Sequence, residues 1–321
     1  YLEMGDATPI VFLDPPEHTQ FRRLISKGFT PRKAEDMRQD INSFVETAII
    51  RIKELESCDI ISELFKPLPS FVVSKYLGVP ASDRVIFDTW TERIVAGAVQ
   101  NEDSEGLDAI IELTSYFTEM IEWRKSKPGD DLISELLEMG EEKVSIMWIL
   151  GLAFTMIAGG NDTTTGLLGG SAVLLTENPD QRKLLLEDLR LLPEAIEELL
   201  RMTSPVQGLT RVLLEDFELH GEKISSGSRV LIGYGSGNRD EREFGKDSEK
   251  LNIRRKIKRT LGFGSGAHLC LGASVARLQS SIALKGILRN FPDFYVDESS
   301  STYATGNYVR RHTHLAFHSS D

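Results

Sequence analysis

From Lys143 to Thr176 the sequence keeps a long helical pattern whose first half is apolar on nearly every side, through Val144, Ile146, Met147, Ile149, Leu150, Leu152, Phe154 and Met156. A helix with no polar face must be surrounded by protein, so this segment predicts a large fold built around it. At its centre the pattern is interrupted by Ala158-Gly159-Gly160-Asn161-Asp162-Thr163-Thr164-Thr165. Two adjacent glycines in a helix interior each cost roughly 1 kcal/mol relative to alanine, which a purely structural helix has no reason to carry. One reading is a break in the helix that opens a groove for a small ligand, with Asp162 and Thr163 offering a carboxylate and a hydroxyl for proton relay. The competing reading is a helix–helix contact that needs small residues, with Thr165 and its neighbours bonding back to carbonyls one turn earlier.

Helical periodicity extends over much of the remaining chain. Thr30-Pro31 reads as an N-cap and first helical residue, opening an amphipathic stretch through Ile49, Ile50, Ile52 and Leu55. Further helices are expected near 81–97, 106–126, 130–138, 180–189, 193–203 and 273–288. From Arg211 to Leu231 short alternating runs are punctuated by His220-Gly221 and Ser226-Gly227, the pattern of a small antiparallel β region. Ser299-Ser300-Ser301 reads only as a polar patch, and there is no repeat or low-complexity linker. The simplest reading is one mainly α domain over residues 1–321 with a minor β portion. With 321 residues, 40% of them hydrophobic, the chain has apolar material for a large core, which excludes a disordered or collagen-like protein. A formal charge of −12 argues against nucleic acid as the main partner. The longest strongly apolar run, Ile149 to Ala158, falls short of the roughly 18 residues that span a bilayer. Two cysteines 212 positions apart form no disulfide framework, so a soluble, cytoplasmic protein is expected. No signal peptide is visible at Tyr1, and the sequence is expected to start partway through a longer chain.

Cys270 lies in Phe263-Gly264-Ser265-Gly266-Ala267-His268-Leu269-Cys270-Leu271-Gly272, just before a helix, where free backbone N–H groups lower a thiol pKa. Glycines at 264, 266 and 272 let the backbone approach something closely. The bland reading is a small residue in a turn. Structural zinc is disfavoured, because His268 and Cys270 supply one local pair of the four ligands it needs. A cysteine hydrolase lacks any local base motif. Glu198 and Arg201 face each other on one helix, a pairing worth about 0.2–0.5 kcal/mol when exposed. His18, Arg22, Arg211 and His268 are scattered donors for an anionic group, each also readable as an ordinary surface residue.

Taken in order, these signals form a pattern: His18-xxx-Arg22 after Asp14-Pro15-Pro16, then Gly159-Gly160-Asn161-Asp162-Thr163-Thr164, then Glu198-xx-Arg201, then Phe263-xx-Gly266-xxx-Cys270-x-Gly272. Asp162 and Glu198 are 36 positions apart, and Glu198 and Cys270 are 72 apart. The set resembles the cytochrome P-450 family of haem-thiolate monooxygenases, especially its soluble bacterial members, from about Leu13 to Phe317. Ser204-Pro205-Val206, the stretch Arg211 to Gly221 and Asn238-Arg239-Asp240 belong to the same likeness.

The resemblance implies a P-450-type helical fold and haem b (iron protoporphyrin IX), with Cys270 as the axial thiolate on iron. It places Phe263 beside the ligand loop, with Ala158, Gly159 and Gly272 against the haem. His18, Arg22, Arg211 and His268 become donors to the two propionates. Asp162 and Thr163 become the acid and alcohol that serve O2, and Glu198 with Arg201 a buried structural pair. Electrons are expected from a ferredoxin docking on the basic run Arg254-Arg255-Lys256-Ile257-Lys258-Arg259 together with Arg23 and Lys27. Val206, Gln207, Gly208, Leu209, Phe154 and Ala158 match pocket-lining positions, implying an apolar substrate such as a terpenoid, a steroid or a fatty acyl compound. A degenerate haem-binding or sensor relative is the alternative. The family carries a further N-terminal portion ahead of the segment matching Leu13, and that portion is missing from this sequence.

Overall fold

The computed structural model describes residues 8–100, 103–306 and 308–319. The first half is helical: α1 (Glu17–Ile25), α2 (Pro31–Asp36), α3 (Arg38–Lys53), α4 (Pro67–Leu77), α5 (Arg84–Gln100), α6 (Asp103–Ser126), α7 (Leu132–Leu137) and α8 (Ile146–Glu177), with a short strand β1 (Ser57–Asp59) before α4. There follow α9 (Pro179–Glu187), α10 (Leu192–Thr203), strands β2 (Gly208–Val212), β3 (Phe217–Leu219), β4 (Glu222–Ile224) and β5 (Arg229–Gly233), and the short helices α11 (Tyr234–Gly237) and α12 (Glu241–Phe244). Helix α13 (Ala273–Asn290) and strands β6 (Tyr295–Tyr303) and β7 (His312–His318) complete a mainly α architecture with small antiparallel sheets, the class expected from the sequence.

Thr30 caps α2 by accepting the Lys33 N–H at 3.3 Å, and Pro31 is the first helical residue. The expected single helix is divided at Met37, so that Ala34 on α2 and Ile41 and Val45 on α3 all reach the same apolar cluster. The β region consists of two antiparallel pairs, β2 with β5 and β3 with β4, the latter turning through His220 (φ 54°) and Gly221 (φ 85°). A third sheet, in the order β1-β7-β6, was not anticipated: its strand β6 contains the serine patch, where no apolar alternation marks a strand.

Helix α8 corrects the expectation of a break. It runs unbroken over 32 residues, a length of about 48 Å at 1.5 Å per residue. What is interrupted is its polarity. The Thr163 hydroxyl donates to the Gly159 carbonyl at 2.9 Å and that of Thr165 to the Asn161 carbonyl at 3.0 Å, as the competing reading requires. Asn161 Nδ2 donates to Ser70 Oγ on α4 at 3.3 Å, so the small polar residues also make a helix–helix contact.

The polar stretch lies where α8 passes from one core to another. Ile149, Leu150, Leu152, Ala153 and Ile157 pack with Phe21, Phe87, Trp90 and Phe117, whereas Leu167, Leu168, Ala172 and Leu175 pack with residues of α3, α4, α10 and α13. Among the described residues no helix is long and apolar enough to cross a membrane.

Candidate active site

The cysteine loop joins the same two cores. Phe263 packs against the cluster around α13, and Leu271 against the cluster around the first half of α8. The loop is shaped by Gly264 (φ +73°) and Gly266 (φ +71°), conformations that side chains rarely adopt. It is closed by the Cys270 N–H donating to the Phe263 carbonyl at 2.9 Å. Phe263 is held from outside by the Arg277 guanidinium, 4.5 Å from its ring centre. Gly272 is the N-cap of α13 and gives it no side-chain cap.

Cys270 is solvent-accessible, with protein packed closely around it. The helix start alone would lower the thiol pKa, but it is not the largest influence here. Burial pushes the thiol up and outweighs the Gly272 N–H and the charges of Arg22 and Arg277, which pull it down.

Helix α1 brings two predicted donors to this loop. The Arg22 guanidinium donates to the Leu269 carbonyl, and the His18 ring lies 4.1 Å from that of His268, centre to centre. Arg211, exposed on β2, is near enough for its charge to act on His268. Burial lowers the pKa of both histidines, reinforced by their cationic neighbours. Thus His18, Arg22 and His268, separated by up to 250 positions, converge beside Cys270, and the charge of Arg211 acts on His268.

On α8, Ala158 is half-buried and Gly159 is exposed in the middle of a helix that is otherwise mostly buried. Thr163 is half-buried, whereas Asp162 is buried and forms an ion pair with Arg311, Nε to Oδ1 2.8 Å, although that N–H is not aligned for a hydrogen bond. Burial raises the pKa of Asp162 against the opposing effect of Arg311.

Glu198 and Arg201 form a fully buried bidentate pair, Nε to Oε2 2.7 Å and Nη2 to Oε1 2.9 Å. A third member was missed by the sequence reading. Arg255 reaches Glu198 Oε1 at 3.1 Å and also donates to the carbonyls of Phe244 and Asp247. It therefore leaves the proposed docking run, as does part of Lys256's free charge, which is paired to both carboxylate oxygens of Glu194 at 2.7 Å. The signal was the alternation Leu251, Ile253, Arg255, Ile257, whose members turn inward while Arg254, Lys256 and Lys258 are exposed. Asn238 links this cluster to the loop, its carbonyl accepting from Arg201 at 2.7 Å and its side-chain oxygen from the Leu261 N–H at 2.8 Å.

The family profile for Cytochrome P450 matches residues 93–302. Cytochrome P450 130 of Mycobacterium tuberculosis is 47% identical over 319 residues, 98% of this chain and 79% of that protein. The chain belongs to the cytochrome P450 family. Steroid C26-monooxygenase of M. tuberculosis is 34% identical over 94% of this P450 and 77% of its own length. The solved structure of the P450 PksS of the Bacillus subtilis bacillaene polyketide synthase superposes with a TM-score of 0.94 at 32% identity, covering all of this chain and 84% of that one. The protein is accordingly a P450 oxidoreductase with haem b as its cofactor, acting with O2 on a small molecule.

The residues fit that cofactor. His18 Nε2 is buried with no hydrogen-bond partner among the described residues. A Cβ added at Gly159 would meet nothing within 4 Å. Both features suit a flat group with acidic substituents placed between α8 and the cysteine loop.

Proposed function

We propose that this P450 is a monooxygenase in which Cys270 ligates haem iron and one oxygen atom of O2 is inserted into an apolar small molecule. The observation that carries the reading is an accessible cysteine just ahead of an 18-residue helix, with the donors His18, Arg22 and His268 gathered beside it and the charge of Arg211 acting on His268. Bound there, haem b supplies the redox and dioxygen chemistry, and a thiolate ligand favours O–O cleavage.

The other steps belong to side chains. Arg22 and Arg211 offer forked donors, and His18 and His268 ring N–H groups, to the two carboxylates of the cofactor. The Thr163 hydroxyl commits its own proton to the Gly159 carbonyl, so its lone pairs remain to accept and hold a proton beside the groove. Asp162, one residue away and buried, is the acid that resupplies it. Phe154, Ala158, Val206 and Leu209 are half-buried and form the apolar lining, which supports a terpenoid, steroid or fatty acyl substrate. Electrons come from a ferredoxin that meets the exposed Arg254, Lys258 and Arg259 of the basic run, of which Arg259 stands 3.9 Å from Glu243, while Arg255 and Lys256 are held in closer pairs.

The deciding measurement is the spectrum of the reduced, CO-bound protein. A strongly red-shifted Soret band is expected, and it should vanish in Cys270→Ala. A haem-loaded wild type without that band would sink the reading. Thr163→Ala should keep the band and divert electrons to peroxide.

A further inference from the structure

We propose that Arg277 is the positioning residue of the Cys270 ligand, clamping Phe263 at the entry of the cysteine loop and holding near the sulfur a positive charge that Glu197 partly balances. This rests on the assignment of Cys270 as the ligand of haem iron. Arg277 lies on the second turn of α13, and its guanidinium stands 4.5 Å from the centre of the Phe263 ring. The Phe263 carbonyl in turn accepts the Cys270 N–H at 2.9 Å, so the arginine bears on the residue that closes the loop. The guanidinium donates twice to Glu197 on α10, Nε to Oε1 and Nη2 to Oε2, the second at 3.1 Å, and this fork fixes its plane.

Helix α10 serves the loop through two adjacent glutamates with different surroundings. Glu198 is fully buried with Arg201 and Arg255, whereas Glu197 and Arg277 are 25% and 44% exposed. The loop enters directly on this helix, because a Cβ on Gly262 would stand 2.5 Å from Leu200. The outer pair can thus be altered, with water replacing a missing charge, while the inner cluster keeps the fold. The Arg277 charge reaches Cys270: with the Gly272 N–H and Arg22 it pulls the thiol pKa down against burial. Arg22 is engaged with the Leu269 carbonyl and is assigned to the cofactor's carboxylates, so Arg277 is the cation of this set with no other task. A thiolate pushes electron density onto iron, and a cation near the sulfur draws part of it back, which favours the reduced state. Arg277 therefore raises the reduction potential, and Glu197, by balancing its charge, lowers it. A pair that only braces the fold has no such opposition of sign.

Potentiometric titration of the haem-loaded protein reads this charge without turnover, and the CO band of the reduced form reads the ligation. Arg277→Met should shift the ferric–ferrous equilibrium at least threefold towards ferric, a potential about 28 mV lower at 59 mV per tenfold for one electron. Glu197→Gln should shift it at least threefold the other way. Arg277→Lys keeps the charge but loses the planar face, so its potential should stay at the wild-type value while its red-shifted CO band is lost several times faster in urea. Shifts of the same sign in R277M and E197Q, or no shift in either, overturn the proposal. Where R277M fails to hold haem, the other two variants decide: an unmoved potential in E197Q overturns the role of the charge, and a CO band as long-lived in R277K as in the wild type overturns the clamp on Phe263. A haem-loaded wild type without the red-shifted band would instead overturn the assignment of Cys270, and this proposal with it. An intact band with unmoved potentials overturns the proposal alone.

Discussion

Charged residues in this protein divide sharply into those whose neighbours are protein and those whose neighbours are water. Arg255 and Lys256 are adjacent, yet the first is the third arm of a buried cluster on Glu198 and the second sits on an exposed glutamate. Arg255→Met should therefore destabilise the fold by about 3 kcal/mol, at the low end for a broken buried pair because Arg201 still holds Glu198. Lys256→Glu should change the urea midpoint little, since exposed pairs contribute about 0–1 kcal/mol. Glycines divide in the same way. Gly166→Ala would drive a methyl group into the Arg310 carbonyl at 2.5 Å and should cost about 1–3 kcal/mol. Gly159→Ala meets nothing within 4 Å and should raise stability by up to about 1 kcal/mol in urea unfolding of the haem-free protein, while narrowing the groove. The motif residues were legible because their types and spacing are unusual. Arg255 and Arg311 were not, because an arginine's meaning depends on which way the chain around it faces.

Helices show how far local pattern reaches. The expected segments over 81–97, 106–126, 130–138, 180–189, 193–203 and 273–288 each overlap an observed helix, since apolar periodicity and caps such as Asp131, which accepts the Ser134 N–H at 2.9 Å, are local properties. The β6–β7 hairpin was invisible because its stability comes from distant partners. In β7, Leu315 and Phe317 are buried and strand β1 pairs along it from more than 250 positions away. His312 on this hairpin is buried, its Nδ1 2.7 Å from Ser301 Oγ, and burial lowers its pKa below the ordinary 6.5. A histidine that resists protonation when folded favours the folded state above its unfolded pKa. That contribution is lost as pH falls from about 6.5 towards the lower folded value. His18 and His268 act in the same direction. Stability in urea should therefore decline below pH 6.5, and His312→Gln should make the decline shallower. An unchanged slope would show that His312 does not contribute.

At the scale of the molecule, the charge of −12 sets the terms on which the proposed ferredoxin, an acidic electron donor, would be met. Overall repulsion has to be overcome by a local basic face, so the encounter should weaken steeply as salt shortens the Debye length from about 10 Å at 0.1 M to about 3 Å at 1 M. Reversing Lys258 and Arg259 together should raise the KM for ferredoxin severalfold and leave peroxide-driven turnover near wild type. Equal losses in the two assays would remove that face from the docking surface. The family could be read from four motifs in order, but the arrangement that makes them one site could not, because helix α1 and the cysteine loop meet only after the chain has closed. Helix α8 has a further consequence through its membership of both cores. Each residue advances a helix by about 100°. One residue inserted anywhere from 158 to 166 would turn Leu167, Leu168, Ala172 and Leu175 away from their cluster while leaving Ile149 to Ile157 in theirs. The polar stretch is thus a phase coupling between two halves of the molecule, constrained in its length as well as in its residues.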